Sequence, residues 1–431
     1  MAVSGTGAGI VDAGSPRPRP AASDPGAAAG SGPRMTYGRA RLLLGISGVG
    51  FWVVLAAGVL VAGLPGWVAG LTGGRLGWDV AAVAAGAAVV VLLQAPFDWI
   101  GGHVVPRRHG RAEVGSASAG SFAGRWGRGV AAYGSVYLVV GLALLAASRA
   151  VGAPGFVLAG AAASLALLAV RTQLARLVGG LTRAETPEPL GPDAVVLAAP
   201  DVGFTGGTAG VFRPGAQLVP AHWTRTLGRD RLALALRRRR EAAESGLWSR
   251  GRLGALAFTW VGLVVAAWLA GVVVRPDSVG VVEGGTAGVG GLGGAGGAGG
   301  VLAFAAVFTL WSFVGLLVLP TLSRRASTAI DARLARAGAD PADLAALASA
   351  LDAMQDDEPS RPRWIETIFH PIPSVTARGD ASTRPRPASR LAAWDIARTS
   401  AFLGLAGLSP LGRAVHCNSG RPSLWVYLPL D

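Results

Sequence analysis

The chain has 431 residues, of which 51% are hydrophobic and only 15% are charged, and its mean hydropathy is +0.46. This balance is typical of a multi-pass membrane protein and excludes a single small soluble domain. The net charge of +14 comes from arginines between the apolar segments. There they set orientation and meet anionic lipid headgroups, so the expected partner is the lipid bilayer and not nucleic acid.

Six apolar runs approach the length of about 20 residues that a membrane-spanning helix needs. They are residues 42–64, 80–97, 130–147, 154–170, 253–274 and 301–320. Because every spanning helix satisfies its own backbone in lipid, these runs predict the architecture before any motif is considered. The sequence therefore predicts a mainly α, polytopic helical membrane protein of about six spans, with a cytoplasmic insert that contains a short β element.

Arginine placement predicts the orientation of these spans. Arginines cluster before the first run, between the second and third, and after the fourth. The positive-inside rule then places both termini in the cytoplasm, with the chain in the inner or plasma membrane. Residues 1–35, rich in Pro, Gly and Ala, predict a disordered tail and not a cleaved signal peptide, and the Gly-rich stretch 284–300 predicts a flexible external loop.

The remaining chain divides into four predicted parts. These are a four-span membrane domain (42–170), a cytoplasmic insert (171–252), a two-span hairpin (253–320) and a cytoplasmic C-terminal region (321–431). The C-terminal region predicts helices at 323–337 and 341–354, followed by irregular Pro- and Arg-rich chain.

The insert predicts a small β element followed by a helix. Residues 194–197 are strand-like, and Gly206 and Gly207 suit a tight turn between two short strands. Leu232, Leu236 and Ala243 share a face at helical spacing, which predicts a helix at about 230–244.

This helix ends in Arg240-Glu241-Ala242-Ala243-Glu244. In the zinc motif HExxH, two histidines at helix positions i and i+4 hold the metal, and the glutamate activates a bound water. Here Arg240 and Glu244 occupy the histidine positions, and Glu241 occupies the general-base position. The alternative interpretation is an ordinary charged helix end with an i, i+4 ion pair.

The surrounding segments resemble the integral-membrane zinc metallopeptidase family of the CAAX prenyl protease and the HtpX heat-shock protease. The segments that carry this resemblance are residues 201–207, 218–220, His222-Trp223 and 323–331. In the family, a later helix beginning Ser-Arg carries a glutamate ligand and then an aspartate four residues on. Ser327 occupies the ligand position here, and Asp331 matches the aspartate.

A second family landmark, His-Pro followed by Arg, is similar to His370-Pro371 with Arg378. The resemblance therefore covers about residues 194–378. It implies that the cytoplasmic insert is peptidase-like and that Asp331, His370 and Arg378 surround the site. It also implies that the helix of Glu241 packs against the helix of Asp331, with Arg240, Glu241, Ser327 and Asp331 in one pocket.

All three zinc-ligand positions of the family are changed here, to Arg240, Glu244 and Ser327. A guanidinium opposes a cation and offers no lone pair, so the sequence predicts no bound zinc, the cofactor of the family. The resulting hypothesis is a catalytically inactive pseudoprotease that acts as a binding or regulatory partner of other membrane proteins. Two alternatives remain open: an active zinc endopeptidase with altered ligands, and an unrelated membrane transport or scaffold component.

Several other polar residues can each be interpreted in two ways. His222, His370 and His416 form an alternative ligand set on the predicted cytoplasmic side, although each also has a plain structural interpretation. Cys417, the single cysteine, suggests a metal ligand or a nucleophile, but one His-Cys dipeptide does not establish either role. Asp98, with Gln94 nearby, indicates either a polar path through the membrane or interfacial anchoring.

Overall fold

The computed structural model describes residues 35–111, 118–185, 190, 193–274, 296–383, 390–405 and 409–429. The fold is 74% helical with one small mixed sheet, so the mainly α prediction is confirmed. The predicted N-terminal tail up to residue 34 and residues 284–295 of the Gly-rich loop lie outside the described residues. Residues 298–300 of that loop instead form the first turn of a long helix.

In chain order, the described helices are α1 (Tyr37–Val61), α2 (Leu64–Thr72), α3 (Leu76–Trp99), α4 (Val105–Arg108), α5 (Ala119–Val151), α6 (Ala153–Ala169), α7 (Arg171–Gly179), α8 (Trp223–Thr226), α9 (Gly228–Glu244), α10 (Leu247–Val273), α11 (Ala298–Arg336), α12 (Pro341–Met354), α13 (Arg363–Phe369), α14 (Val375–Thr383), α15 (Ile396–Leu405) and α16 (Leu411–Ala414). A π-helical turn, Ile100–Val104, joins α3 to α4.

Five of the described helices are long and apolar enough to cross a membrane: α1, α3 continued to Arg108, α5, α10 and α11. The pair α6 and α7 forms a sixth candidate that is bent by 73° at the junction. All six predicted apolar runs are therefore helical, and a polytopic fold with five or six spans is confirmed.

Helix α11 corrects one predicted boundary. The sequence predicts that a span ends at Pro320 and that a separate helix follows it, but the helix continues through this proline to Arg336. Ser323, Ser327 and Ile330 lie beyond the proline and are buried. Packing of these buried side chains stabilises the helix by more than the backbone hydrogen bond that the proline removes.

The sheet has strands β1 (Thr182–Arg183), β2 (Ala194–Ala198), β3 (Gly207–Thr208) and β4 (Gln217–Pro220), in the order β1-β2-β4-β3. Strand β2 forms where the sequence predicts it, and it pairs in parallel with β4, with Val196 opposite Val219. The predicted hairpin turn at the paired glycines is wrong, because Gly207 itself lies in β3, which pairs with β4 across a longer loop. Gly206 has φ of 75° and leaves no room for a side chain against the Leu218 carbonyl.

Helix α9 also forms where the sequence predicts it, and it packs on both the sheet and α11. Leu232 and Leu236 are buried as expected, whereas Ala242 replaces the half-buried Ala243 on the inner face. Ala242 lies in one apolar cluster with Ala326 and Ile330 of α11. The prediction that the helix of Glu241 packs against the helix of Asp331 is therefore confirmed.

The C-terminal region is only in part the irregular chain that its Pro and Arg content predicts, because α13 to α16 form within it. Helix α15 packs on α10 and α11 through Ile396 and Ala397. The C-terminal segment, residues 409–429, is held by α5, where Tyr133 donates to the Trp425 carbonyl at 3.1 Å and Tyr137 donates to the Ser409 carbonyl at 3.1 Å. Aromatic burial thus orders a stretch whose composition is typical of a loop.

Candidate functional site

The predicted zinc-ligand positions do not converge. Arg240 and Glu244 are exposed on α9, whereas Ser327 is buried on α11. Glu241 lies near the surface and accepts a hydrogen bond from Arg333 Nη1 at 3.2 Å. The prediction that Arg240, Glu241, Ser327 and Asp331 share one pocket is therefore wrong.

Helix geometry gives the reason. Successive residues of an α-helix are turned by about 100°, so a residue two positions away points in nearly the opposite direction. The face of α9 toward α11 carries Arg238 and Ala242, which are themselves an i, i+4 pair. Arg240 and Glu244, two positions further on, consequently face solvent.

Asp331 is the centre of a buried ion network. Arg238 Nε donates to Asp331 Oδ1 at 2.7 Å, and Arg378 Nε donates to Asp331 Oδ2 at 2.8 Å. None of the three side chains is more than 5% exposed. The structure therefore joins two predicted landmark residues, Asp331 and Arg378, and adds Arg238, which sequence reasoning missed.

A second polar cluster, formed by Asp356, His370 and His416, lies nearby. His370 Nδ1 is 3.9 Å from Asp356 Oδ2, and His416 Nε2 is 4.0 Å from the same oxygen. The two imidazole ring centres are 4.6 Å apart. One candidate ligand atom from each residue lies within 4.8 Å of the other two, so the three side chains could together hold a metal ion.

The histidine alternatives are thereby separated. His370 and His416 meet although they are distant in the chain, whereas His222 lies beside Asp201 in another part of the fold. The sequence does not single out Asp356, because it is one of several carboxylates in the acidic stretch that includes Asp352 and Asp357.

Asp356, His370 and His416 line a pocket whose empty space, open solvent included, is about 640 Å³, and of the Asp331 network only Arg378 also lines it. Its walls include Asp356, His370, His416, Cys417 and Arg378. Asp331 reaches this pocket only through its partner Arg378. The pocket therefore combines imidazole, carboxylate, thiol and guanidinium groups.

An adjoining and more apolar pocket of about 660 Å³ lies between α1 and α11. Leu42, Phe313 and Leu316 contribute to its lining, and it shares His416 and Cys417 with the polar pocket. The imidazole of His416 thus lies at the boundary between an apolar and a polar cavity.

Burial sets the protonation states in the histidine cluster. It lowers the pKa of His416 to about 4, opposed by Asp356 and reinforced by Arg41. It also lowers the pKa of His370 well below its usual range, with a further contribution from His416. Burial alone would raise the pKa of Asp356, but His416, Arg361 and His370 outweigh it and hold that pKa well below its usual range. At neutral pH the cluster therefore offers neutral imidazoles and a carboxylate, the forms in which these groups bind metals.

Cys417 does not have the properties of a nucleophile. Burial raises the pKa of its thiol to about 12, whereas a reactive cysteine needs a lowered pKa that makes the thiolate available.

Asp98 and Gln94 are structural anchors in the described part of the chain. Gln94 accepts a hydrogen bond from Trp52 Nε1 at 2.6 Å and donates to Asp98 at 3.3 Å. Asp98 is fully buried and accepts from Arg413, Trp126 and the Gly420 amide. It therefore joins α3 to the C-terminal segment.

Asp201 tethers the insert to the same segment. Arg421 donates to both of its carboxylate oxygens, through Nε at 2.7 Å and through Nη2, and the Gly203 amide donates at 2.8 Å. Burial alone would raise the pKa of Asp201, but the charge of Arg421 and these hydrogen bonds outweigh it and lower the pKa to about 2.

This shift predicts acid sensitivity. Because the folded-state pKa lies below the usual value, the interaction contributes fully above about pH 4 and is lost as the pH falls through about 2, a contribution of about 2 kcal/mol. We expect Asp201→Asn to lower the free energy of unfolding by about that amount at pH 7, with a difference from wild type that shrinks toward pH 2. Denaturant unfolding across pH measures it. The exposed Asp230→Asn serves as control, and a constant Asp201→Asn difference at every pH would contradict the assignment.

No protein-family model matches the chain, and no curated protein matches it at a significant level.

Proposed function

We propose that this chain carries a metallopeptidase-like domain that lacks the catalytic zinc site, and that it acts as a binding or regulatory partner of other membrane proteins. Its apolar helices make it a multi-pass membrane-type protein in contact with the lipid bilayer. Under the arginine-based orientation, the chain lies in the inner or plasma membrane with both termini and the polar pocket in the cytoplasm.

The network of Arg238, Asp331 and Arg378 is the observation that carries this proposal. It connects α9, α11 and α14. By the resemblance, α9 corresponds to the HExxH helix and α11 to the helix of the third zinc ligand, and α14 contains the arginine that follows His-Pro. The landmark residues Asp331 and Arg378 form a buried ion pair. A contact between two landmarks 47 residues apart supports the resemblance over this region.

The same contacts oppose a zinc ion at the family position. On the face of α9 toward α11, the i and i+4 residues are Arg238 and Ala242, and α11 contributes Ser327. None of the three is an imidazole or carboxylate, and the guanidinium of Arg238 already places a positive charge beside Asp331. The residues present do not fit the metal of the family at this position.

The proposal predicts that the purified protein, in detergent or in lipid discs, cleaves no membrane or unfolded protein substrate, with or without added zinc. Digestion products separated on gels and identified by mass spectrometry measure this. A cleavage activity that a chelator abolishes and that Glu241→Gln removes, while Glu244→Gln retains it, would overturn the proposal.

Restoring the zinc-ligand residues of the family tests which face of α9 points toward α11. Arg240→His, Glu244→His and Ser327→Glu together are not expected to create a zinc site, because the first two side chains face solvent and the third is buried on α11. One zinc added per chain by this triple variant would show that α9 turns its other face inward.

A further inference from the structure

We propose that Asp356, His370 and His416 form a binding site for a divalent transition metal ion of the zinc class, separate from the α9–α11 position of the resembled family. The inference does not depend on the proposed pseudoprotease function. It rests on donor chemistry, donor spacing and the hydrogen bonding of the imidazoles.

The donor set is one that zinc accepts, since imidazole nitrogen and carboxylate oxygen bind it at about 2.0–2.2 Å, and three protein ligands suffice for a site that completes its shell with water. In a tetrahedral site the ligand atoms are about 3.3 Å apart. The measured separations from Asp356 are 3.9 and 4.0 Å, and no pair exceeds 4.8 Å. Side-chain adjustments of about 1 Å close this gap without backbone change.

The imidazoles are not committed to other partners. His370 is 4% exposed, and its Nε2 atom has no hydrogen-bond partner among the described residues. Its Nδ1 atom lies 3.9 Å from Asp356, beyond hydrogen-bonding distance. Nδ1, and not Nε2, is therefore the nitrogen that faces Asp356, and its lone pair is available to a metal ion held between the two side chains.

The backbone around each imidazole is held in place before any ion binds. His370 ends α13, and its carbonyl accepts from Arg324 Nη1 at 3.0 Å. His416 follows α16, and its carbonyl accepts from Arg41 Nη2. These arginines bind main-chain oxygens and not the rings, whose centres are 4.6 Å apart. Fixed ligands reduce the entropy that binding must overcome.

Arg361 orients the carboxylate and also limits the affinity. Its Nη2 atom donates to Asp356 at 3.2 Å and to Asp352 at 3.0 Å. A hydrogen bond from a neighbouring group is the usual way in which a ligating carboxylate is oriented. The Arg361 guanidinium repels a cation, but Asp352 and Asp356 together offset its charge. The site is therefore expected to favour ions that bind imidazole strongly over magnesium or calcium.

Zinc content and cobalt absorption test the site on the full-length protein purified with a tag that contains no histidine. After chelator treatment and dialysis against micromolar zinc, we expect about one zinc per chain. Cobalt in place of zinc should give visible absorption bands of a low-coordinate site. Zinc should also raise the unfolding temperature, because the ion binds the folded chain.

Matched variants locate the ion. His370→Gln and His416→Gln are each expected to weaken zinc binding at least 10-fold, and the double variant should remove both the cobalt bands and the thermal shift. His222 and His109 lie elsewhere in the fold, so His222→Gln and His109→Gln should leave zinc binding and the cobalt bands unchanged. Absence of zinc from wild type, or retention of zinc and its thermal shift by the double variant, would overturn the proposal.

This result is separable from the pseudoprotease test. Zinc that depends on His370 and His416, without chelator-sensitive cleavage, supports both proposals. Cleavage that requires Glu241 overturns only the pseudoprotease, and zinc that persists in the His370→Gln/His416→Gln variant overturns only the new site. Thermal unfolding of each metal-free variant distinguishes a lost ligand from a lost fold.

Discussion

Asp331→Asn is expected to lower the free energy of unfolding by about 3–5 kcal/mol, because it leaves the guanidiniums of Arg238 and Arg378 buried without a counter-charge. Both pairs are short, at 2.7 and 2.8 Å, and no member of the network is more than 5% exposed. Asparagine keeps the side-chain volume, so the loss reports charge and not a cavity. Thermal or denaturant unfolding in detergent measures it.

The surface pair of Glu241 and Arg333 provides the matched control. Its side chains are 23% and 43% exposed, so Glu241→Gln should cost less than about 1 kcal/mol. Replacing the whole network with apolar residues, by Asp331→Leu, Arg238→Met and Arg378→Met, should recover most of the stability, since a buried ion group is costly mainly when broken. Equal losses for Asp331→Asn and Glu241→Gln would contradict the buried network.

Hydropathy predicts the spans because backbone satisfaction in lipid is a local property of each apolar run. It fails at Pro320, where local chemistry predicts a helix end. The helix continues because Ser323, Ser327 and Ile330 are buried beyond the proline, and that burial depends on partners far away in the chain. Composition alone does not contain this information.

The inner face of α9 shows the same limit at the level of single residues. Residues 237–240 are four consecutive arginines, and neither their chemistry nor their propensity distinguishes them. Only contact with α11 buries Arg238 and leaves Arg240 in solvent. The sequence correctly predicts that α9 packs on α11, but it assigns the wrong face of α9 to that contact.

The histidine cluster depends on the C-terminal segment. His370 and His416 are both candidate ligands in the sequence, but their meeting depends on residues 409–429 folding back against α5. The Pro- and Arg-rich composition predicts irregular chain there, because it does not reveal that Trp425 and Arg413 have buried partners. Only its position in three dimensions distinguishes Asp356 from its acidic neighbours.

Removing the charge of Asp98 is expected to release this segment. Asp98 and Arg413 are each no more than 1% exposed. The Asp98 carboxylate also accepts hydrogen bonds from Trp126 Nε1 and the Gly420 amide, each at 2.9 Å. Asp98→Asn leaves the Arg413 cation unpaired, so we expect a loss of about 3–5 kcal/mol. Protease cleavage between residues 409 and 429 should become faster at the same time.

Two comparisons make this test specific. Arg39→Gln removes an exposed arginine that pairs with the buried Glu358, while Arg361 stays 4.0 Å from that carboxylate. It should change the free energy of unfolding by less than about 1 kcal/mol and leave the cleavage rate unchanged. Asp98→Leu combined with Arg413→Met should recover part of the loss, because the unpaired cation is removed while the Gly420 amide still lacks its acceptor. Since His416 follows Arg413 by three residues, Asp98→Asn should also weaken zinc binding. Unchanged unfolding and unchanged proteolysis of Asp98→Asn would show that the segment is held by its aromatic contacts alone.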